Sequence, residues 1–190
     1  MKTLLLMRHA KSSWKHPELA DAERDLAKRG KKDAPLMGGV LKEKELVPEA
    51  ILCSTAARAR QTGEAVVEAS GFQGTLEFQD ALYLAEPDVY LAALCALPDA
   101  LERVLVIGHN PGLEGLLQLL SGRTEALPTS TIAYLSLPVQ RWADINEQTE
   151  CELVEILNPR NLHQEKPAGK KKGTGDSKPK KKEKKKNKKK

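Results

Sequence analysis

Short apolar runs alternate along the chain with longer segments in which apolar residues recur every three or four positions. The first three runs are apolar throughout, which is typical of strands covered on both faces of a sheet. The fifth run alternates polar and apolar residues, so it predicts an edge or half-exposed strand that forms an antiparallel hairpin with the fourth. The predicted strands are Thr3–Met7, Ala50–Cys53, Arg103–Ile107, Ile132–Leu137 and Cys151–Leu157.

Three helices are predicted between these strands, because their apolar residues fall on one face at a spacing of 3.6 residues. They follow Gly30, Ser54 and Pro111; Ser54 can cap the second helix, and Gly122 can terminate the third. The alternation of strands and helices predicts an α/β fold with a mostly parallel central sheet flanked by helices. The apolar faces are Leu36, Met37, Val40 and Leu41 in the first helix, Ala59, Thr62, Ala65, Val66 and Ala69 in the second, and Leu113, Leu116, Leu117 and Leu120 in the third.

The charge of the chain is unevenly distributed. The formal net charge is +5, but residues 166–190 hold fourteen Lys against one Asp and one Glu, and residues 1–165 are acidic. Apolar residues almost vanish from residue 164 onward, and such a composition cannot offset the entropy lost on ordering. We therefore predict a folded domain over residues 1–163 and a disordered Lys-rich tail over residues 164–190. Three roles stay open for the tail: a solvating extension, a contact with nucleic acid, or a contact with an anionic membrane surface.

The location of the protein is predicted from what the sequence lacks. No stretch approaches the roughly 20 apolar residues that cross a bilayer, and Arg8 and His9 interrupt the first apolar run too early for a signal peptide. The three cysteines, Cys53, Cys95 and Cys151, show no pairing pattern and resemble small buried apolar residues in a reducing compartment. The sequence therefore predicts a cytoplasmic protein without a transmembrane segment.

Polar residues that could bind a ligand or take part in catalysis follow three of the apolar strands. Arg8 and His9 end the first, Ser54 and then Arg58 follow the second, and His109 follows the third. Ligands of parallel α/β sheets bind beyond the carboxyl ends of the strands, so these side chains are expected in one pocket. Guanidinium groups match phosphate oxygens, and imidazole can act as a neutral nucleophile near pH 7. No carboxylate cluster accompanies the histidines, which argues against a metal site.

The motifs around these residues resemble the histidine phosphatase superfamily, and especially its small SixA-type phosphohistidine phosphatases. The resemblance extends over about residues 2–158, with the motifs in the family's order. It rests on Leu6-Met7-Arg8-His9-Ala10-Lys11-Ser12-Ser13-Trp14, Asp21-Ala22-Glu23-Arg24-Asp25-Leu26 with Gly30, Ser54-Thr55-Ala56-Ala57-Arg58-Ala59-Arg60-Gln61-Thr62, Leu82-Tyr83, and Val106-Ile107-Gly108-His109-Asn110-Pro111-Gly112.

The resemblance implies a role for each matching residue. His9 is expected to attack phosphorus and form a phosphohistidine intermediate, while Arg8, Arg58 and His109 hold the phosphoryl oxygens. Arg24 is a further candidate for substrate binding. No cofactor and no metal are expected. Arg60, two positions beyond Arg58, is expected to point away from the pocket.

Two departures from the family pattern bear on the substrate. Ala10 replaces the glycine of the signature, and Leu84 falls where many members carry an acidic residue that protonates the leaving group. Glu86 and Asp80 are the nearest alternatives for that acid. A missing acid slows alkyl phosphate esters most, so the sequence favours phosphohistidine on a carrier protein as the substrate. A small phosphate ester is the alternative substrate, and a non-catalytic phosphate-recognition module is the alternative of another class.

Overall fold

A computed structural model describes residues 1–162 of the chain. The predicted disordered tail over residues 164–190, and the domain boundary before it, lie outside the described residues. Six strands form one sheet in the order β3-β2-β4-β1-β5-β6. The strands are β1 (Lys2–Arg8), β2 (Ala50–Ser54), β3 (Thr75–Gln79), β4 (Arg103–Gly108), β5 (Ile132–Leu137) and β6 (Glu152–Leu157).

The sheet is mostly parallel, as predicted. Strand β4 pairs in parallel with β1 and with β2, and β2 pairs in parallel with β3. Strand β5 runs antiparallel to β1, and β6 runs antiparallel to β5 at the edge of the sheet. This arrangement confirms the predicted hairpin and the predicted edge position of the last strand.

Helices cover both faces of the sheet. They are α1 (Gly30–Glu43), α2 (Ala57–Ser70), α3 (Pro87–Cys95), α4 (Gly112–Ser121) and the short α5 (Pro159–Leu162). Alternate residues of β1 enter opposite cores: Leu4 and Leu6 pack with α3 and α4, and Leu5 and Met7 pack with α1 and α2. Strand β1 is therefore buried on both faces, which explains its continuous apolar run.

The structure contains two elements that the sequence did not predict, strand β3 and helix α3. Strand β3 carries Glu77 and Gln79 among its five residues and lies at the edge of the sheet, so it lacks the apolar signal of a buried strand. Helix α3 is apolar on several sides and therefore shows no amphipathic stripe. The predicted end of α4 is confirmed: Gly122 has a φ of 67°, and its N–H binds the carbonyl oxygen of Gln118.

No helix within residues 1–162 has the length and apolar character needed to cross a membrane.

Candidate active site

The carboxyl ends of three adjacent parallel strands meet at one edge of the sheet. Arg8 ends β1 beside Gly108, the last residue of β4, and Ser54 ends β2 on the other side of β4. The residues that follow these strands enclose a cavity of about 330 Å³, which is the size of a small-ligand site. Its lining consists of Arg8, His9, Lys11, Ser12, Trp14, Asp21, Arg24, Arg58, Leu84, His109, Asn110 and Thr129. The structure thus brings together all five site residues predicted from the sequence.

The His9 side chain lies in this cavity and is 8% exposed. Its Nδ1 atom is 2.8 Å from the carbonyl oxygen of Ala10, so Nδ1 carries the proton and donates it there. The Nε2 atom accepts a hydrogen bond of 3.2 Å from Nε of Arg58. Burial, opposed by the Ala10 hydrogen bond and reinforced by Arg58 and Arg8, lowers the pKa of His9 to about 4. His9 is therefore neutral near pH 7, and the lone pair of its Nε2 accepts the hydrogen bond from Arg58.

His109 is the second imidazole of the site and is 1% exposed. Its ring centroid is 5.0 Å from that of His9. Nε2 lies 2.8 Å from Oγ of Ser54, and Nδ1 lies 3.4 Å from Nη2 of Arg58. Burial, with the charges of neighbouring groups including Arg58, lowers the pKa of His109 to about 3. His109 is therefore also neutral near pH 7, and Ser54 contacts its ring directly.

The role predicted for Ser54 changes with this contact. Helix α2 begins at Ala57 without a side-chain cap, and Oγ of Ser54 accepts instead from the backbone N–H of Ala56 at 3.3 Å. Because Nη2 of Arg58 can only donate, Nδ1 of His109 is the acceptor in the contact between them. The proton of the neutral ring therefore lies on Nε2, which donates it to Oγ of Ser54.

Two guanidinium groups complete the inner end of the pocket. Arg58 is 4% exposed, and its Nη atoms bind the carboxylate and the backbone oxygen of Asp21. Nη1 of Arg8 donates to the carbonyl oxygen of Leu127 at 3.1 Å, whereas its Nε is buried without a partner among residues 1–162. A buried N–H without a partner is costly, so an anion that accepts from it would be stabilised. We call Arg8, His9, Arg58 and His109 the floor of the pocket.

Arg24 lies between the floor and the outside of the pocket. It is 8% exposed, and its guanidinium donates to Oγ of Ser12 and to Oδ1 of Asp21, each at 2.8 Å. Its Cζ atom also lies 3.2 Å from the centroid of the Trp14 ring. Arg24 therefore has a fixed position in the cavity, and Trp14, which is 71% exposed, lies at the opening.

Asp21 and Tyr83 are site residues to which the sequence reading gave no role. Oδ2 of Asp21 accepts hydrogen bonds of 2.8 Å from Arg58 and from the hydroxyl of Tyr83. Although burial acts in the opposite direction, the hydrogen bonds from Tyr83, Arg58 and Arg24 and the charge of Arg58 lower the pKa of Asp21 to about 2. The spacing of Asp21 and Arg24, three residues apart, was the one signal in the sequence that an ion pair could form.

The lining residues Trp14, Asp21 and Leu84 form the outer part of the pocket, and Tyr83 binds Asp21 from beside the lining; we call these four residues the rim. Leu84 is 53% exposed and lines the cavity, whereas the acid candidates Glu86 and Asp80 do not line it. Asp21 is the only carboxylate among the lining residues. Within residues 1–162, no three His, Cys, Asp or Glu side chains cluster as a metal site would require. Four cationic side chains line the same cavity, which suits an anionic ligand.

Arg60 lies on a different surface from the pocket, as predicted. Its Cζ atom is 4.6 Å from the centroid of the Phe78 ring, and it does not line the cavity.

Comparisons with known proteins agree with this geometry. The profile of the histidine phosphatase superfamily (branch 1) matches residues 4–86. An uncharacterised protein of Mycobacterium leprae is 34% identical over 167 residues, which cover 81% of this chain and all of that protein. The structure of a proposed phosphohistidine phosphatase SixA from Nakamurella multipartitia has 29% identity and a TM-score of 0.73, covering 83% of this chain and 96% of that one. The protein histidine phosphatase SixA in complex with tungstate has 27% identity and a TM-score of 0.73, covering 84% and 99%.

Proposed function

The chain belongs to the histidine phosphatase superfamily, and from this premise we propose that it removes the phosphoryl group of phosphohistidine on a carrier protein. In this proposal His9 accepts the phosphoryl group and then releases it to water. Phosphatase chemistry is that of the superfamily; the phosphohistidine substrate, the roles of the floor residues and independence from metal ions are our proposals.

The environment of His9 is the observation that carries this proposal. The imidazole is neutral, its Nδ1 proton is held by the oxygen of Ala10, and its Nε2 lone pair lies beside Arg58. When Nε2 bonds to phosphorus, the ring becomes positively charged, and the carbonyl oxygen of Ala10 stabilises that charge. A neutral, oriented nucleophile between two guanidinium groups is what transfer of a phosphoryl group requires.

The first chemical step transfers the phosphoryl group to the enzyme. Nε of Arg58 shifts its hydrogen bond from Nε2 of His9 to a phosphoryl oxygen, which frees the lone pair of Nε2. Nε2 then forms a bond to phosphorus while the P–N bond of the substrate breaks, and the electron pair of that bond stays on the ring nitrogen of the substrate histidine. Arg8 and Arg58 donate to the phosphoryl oxygens, and His109, which lines the same cavity, donates to them from Nδ1 when the phosphoryl charge brings a second proton onto its ring. These donors stabilise the charge that is distributed over the oxygens in the transition state.

The second step returns the enzyme to its starting state. Water attacks phosphorus, the P–Nε2 bond breaks, and the electron pair returns to Nε2 of His9. The proton lost by water remains on the released phosphate. Because the floor arginines supply the positive charge throughout, the proposal uses no metal ion.

The choice of a phosphohistidine substrate is supported by the outer half of the pocket. Leu84 lines the cavity where a proton donor would assist an ester, and neither Glu86 nor Asp80 lines it. An alkoxide leaving group needs such a donor, whereas an imidazole that is already protonated leaves without one. The SixA structures, whose names describe phosphohistidine phosphatases, support the same substrate class.

The test is phosphate release from a carrier protein phosphorylated on histidine, with p-nitrophenyl phosphate and an alkyl phosphate in parallel. EDTA is present in all reactions, and wild type is compared with His9→Ala. We expect fast turnover of phosphohistidine, slow turnover of the esters and no turnover by the variant. Comparable rates on alkyl esters would indicate that the substrate is a small phosphate ester and not a phosphorylated protein. Full activity of His9→Ala, or no turnover of any substrate, would reject the proposed function, and the second result would leave a phosphate-recognition module.

A further inference from the structure

Asp21 lines the pocket, but the proposed mechanism gives its carboxylate no role. Its carboxylate is bound by the guanidinium of Arg58, which also binds the nucleophile, so the two groups lie at different atoms of one planar fork. Nε of Arg58 donates to Nε2 of His9, Nη1 and Nη2 donate to Asp21, and Nη2 also lies 3.4 Å from Nδ1 of His109. His9 and Asp21 both line the cavity, and Asp21 is the only carboxylate among the lining residues. In-line transfer places the leaving group away from the nucleophile, and Asp21 is the one carboxylate of the cavity that this group can contact.

The carboxylate has the accepting capacity to bind a leaving group there. A carboxylate offers about four acceptor positions. Arg58, Tyr83 and Arg24 occupy three of them, two on Oδ2 and one on Oδ1. The side chain is 45% exposed, so the remaining position on Oδ1 is reachable from the opening of the pocket.

The charge of Asp21 makes it unsuitable as a proton donor. Three hydrogen bonds to the carboxylate keep it ionised at neutral pH. A permanently ionised carboxylate can accept an N–H from a cationic group and repels an oxygen on which negative charge develops. Its effect on the reaction therefore depends on the chemistry of the leaving atom.

We propose that Asp21 is the specificity-determining residue that selects substrates whose leaving group contains a protonated nitrogen. In the imidazolium form of phosphohistidine, the ring nitrogen that does not carry phosphorus holds a proton, and Asp21 accepts a hydrogen bond from that N–H. This contact favours the imidazolium form, whose P–N bond breaks to leave a neutral imidazole, and no proton is transferred to or from Asp21. With an ester, the same carboxylate opposes the charge that builds on the leaving oxygen.

The inference depends on the proposed role of His9 but not on a protein substrate. Phosphoramidate, a small molecule with a P–N bond whose nitrogen is protonated, serves as the probe, and p-nitrophenyl phosphate serves as the ester. The experiment compares the ratio of kcat/KM for the two probes between wild type and Asp21→Asn. We expect this ratio to fall at least tenfold in Asp21→Asn, with loss on phosphoramidate and gain on the ester.

Two further variants separate charge from structure. Asp21→Glu keeps the carboxylate and is expected to keep the ratio within about threefold of wild type. Glu18→Gln makes the same change of charge three residues earlier, at an exposed side chain that pairs with His16 outside the pocket, and is expected to leave the ratio unchanged. If Asp21→Asn does not fold, a ratio in Asp21→Glu that falls tenfold would count against the proposal.

An equal loss on both probes in Asp21→Asn would make Asp21 a mere support for Arg58 and would overturn the proposal. No turnover of phosphoramidate by wild type would overturn it as well. Turnover of phosphoramidate that depends on Asp21, without turnover of the phosphorylated carrier protein, would reject the proposed substrate and retain this inference. Turnover of the carrier protein with an unchanged ratio in Asp21→Asn would retain the function and reject the inference.

Discussion

The floor and the rim of the pocket are built in different ways. The floor residues His9, Arg58 and His109 are between 1% and 8% exposed, and they follow strands that are fixed on both faces by apolar cores. The rim residues Trp14 and Leu84 are 71% and 53% exposed and lie in irregular segments between the regular elements. The floor is therefore rigid by construction, whereas the position of the rim depends on a few side-chain contacts.

This difference assigns different tasks to the two regions. In the proposed mechanism, the floor supplies the attacking nitrogen and contacts the phosphoryl oxygens, which every phosphorylated substrate shares. The rim lies where substrates differ, at the leaving group and the surface that carries it. A change in the floor should therefore reduce activity on all substrates, and a change in the rim should alter the preference among them.

The floor is tested most severely by Arg58→Ala. This change removes donors from the phosphoryl site and from Nε2 of His9, so we expect kcat to fall by about 10²–10³-fold on phosphoramidate and on phosphohistidine alike. Arg60→Ala is the matched control, because Arg60 belongs to the same helix but packs on Phe78 outside the pocket. It should stay within about twofold of wild type. A loss confined to one substrate, or a similar loss in both variants, would contradict the assignment of Arg58 to the floor.

The protonation state of His9 distinguishes a buried floor from an exposed one. Because the pKa of His9 is lowered to about 4, the neutral ring persists as the pH falls from 7 to 5. An ordinary histidine with a pKa of 6.5 would be only about 3% neutral at pH 5, roughly thirtyfold less. NMR titration of the imidazole nitrogens of the substrate-free protein measures this directly. We expect His9 to be at most about one tenth protonated at pH 5 and above, and a midpoint near 6.5 would contradict the structure.

Ser54→Ala tests whether the hydroxyl of Ser54 fixes the tautomer of His109 in the floor. Without the hydroxyl, Nε2 of His109 loses its acceptor at 2.8 Å, and the ring proton is free to move to Nδ1, where it would face the donor Nη2 of Arg58. We expect about a tenfold loss of kcat on every substrate, with a shift of the His109 ring ¹⁵N signals to the other tautomer. Ser70→Ala, at a buried serine in the same part of the chain but remote from the pocket, is the control. A loss of activity without a change of tautomer would refute the positioning role.

The floor could be predicted from the sequence, because it depends on regular structure. Continuous apolar runs identified β1, β2 and β4, and parallel strands place their carboxyl ends at one edge. The sequence therefore predicts Arg8, Ser54 and His109 at the same place, and the resemblance to the family implies the roles of His9 and Arg58 beside them. The roles of these residues stay predictions until the variants are measured.

The rim could not be predicted in the same way, since it depends on contacts between distant segments. Asp21 meets Arg58 and Tyr83 across 37 and 62 positions of the chain, and no periodic pattern records such a contact. Tyr83 and Leu84 lie just before α3, which could not be predicted from the sequence because it is apolar on several sides and lacks an amphipathic pattern. The local sequence at Ser54 is compatible with a helix cap, and its contact with His109 depends on tertiary structure.

The smallest expected effect belongs to Trp14, the most exposed residue of the rim. Its ring stacks on Arg24, and a stack of this kind at an exposed site contributes about 0.5–1 kcal/mol, so the loss in Trp14→Ala on phosphoramidate should be about two- to fivefold. A carrier protein must also cover the exposed ring, and for that substrate we expect a larger rise of KM with kcat little changed. Val154→Ala, at an exposed apolar residue of β6 away from the pocket, is the control. Equal effects of Trp14→Ala on both substrates would mean that the ring only positions Arg24. Trp14 would then have no contact with the carrier protein, and Asp21 would be the outermost rim residue that affects the substrate.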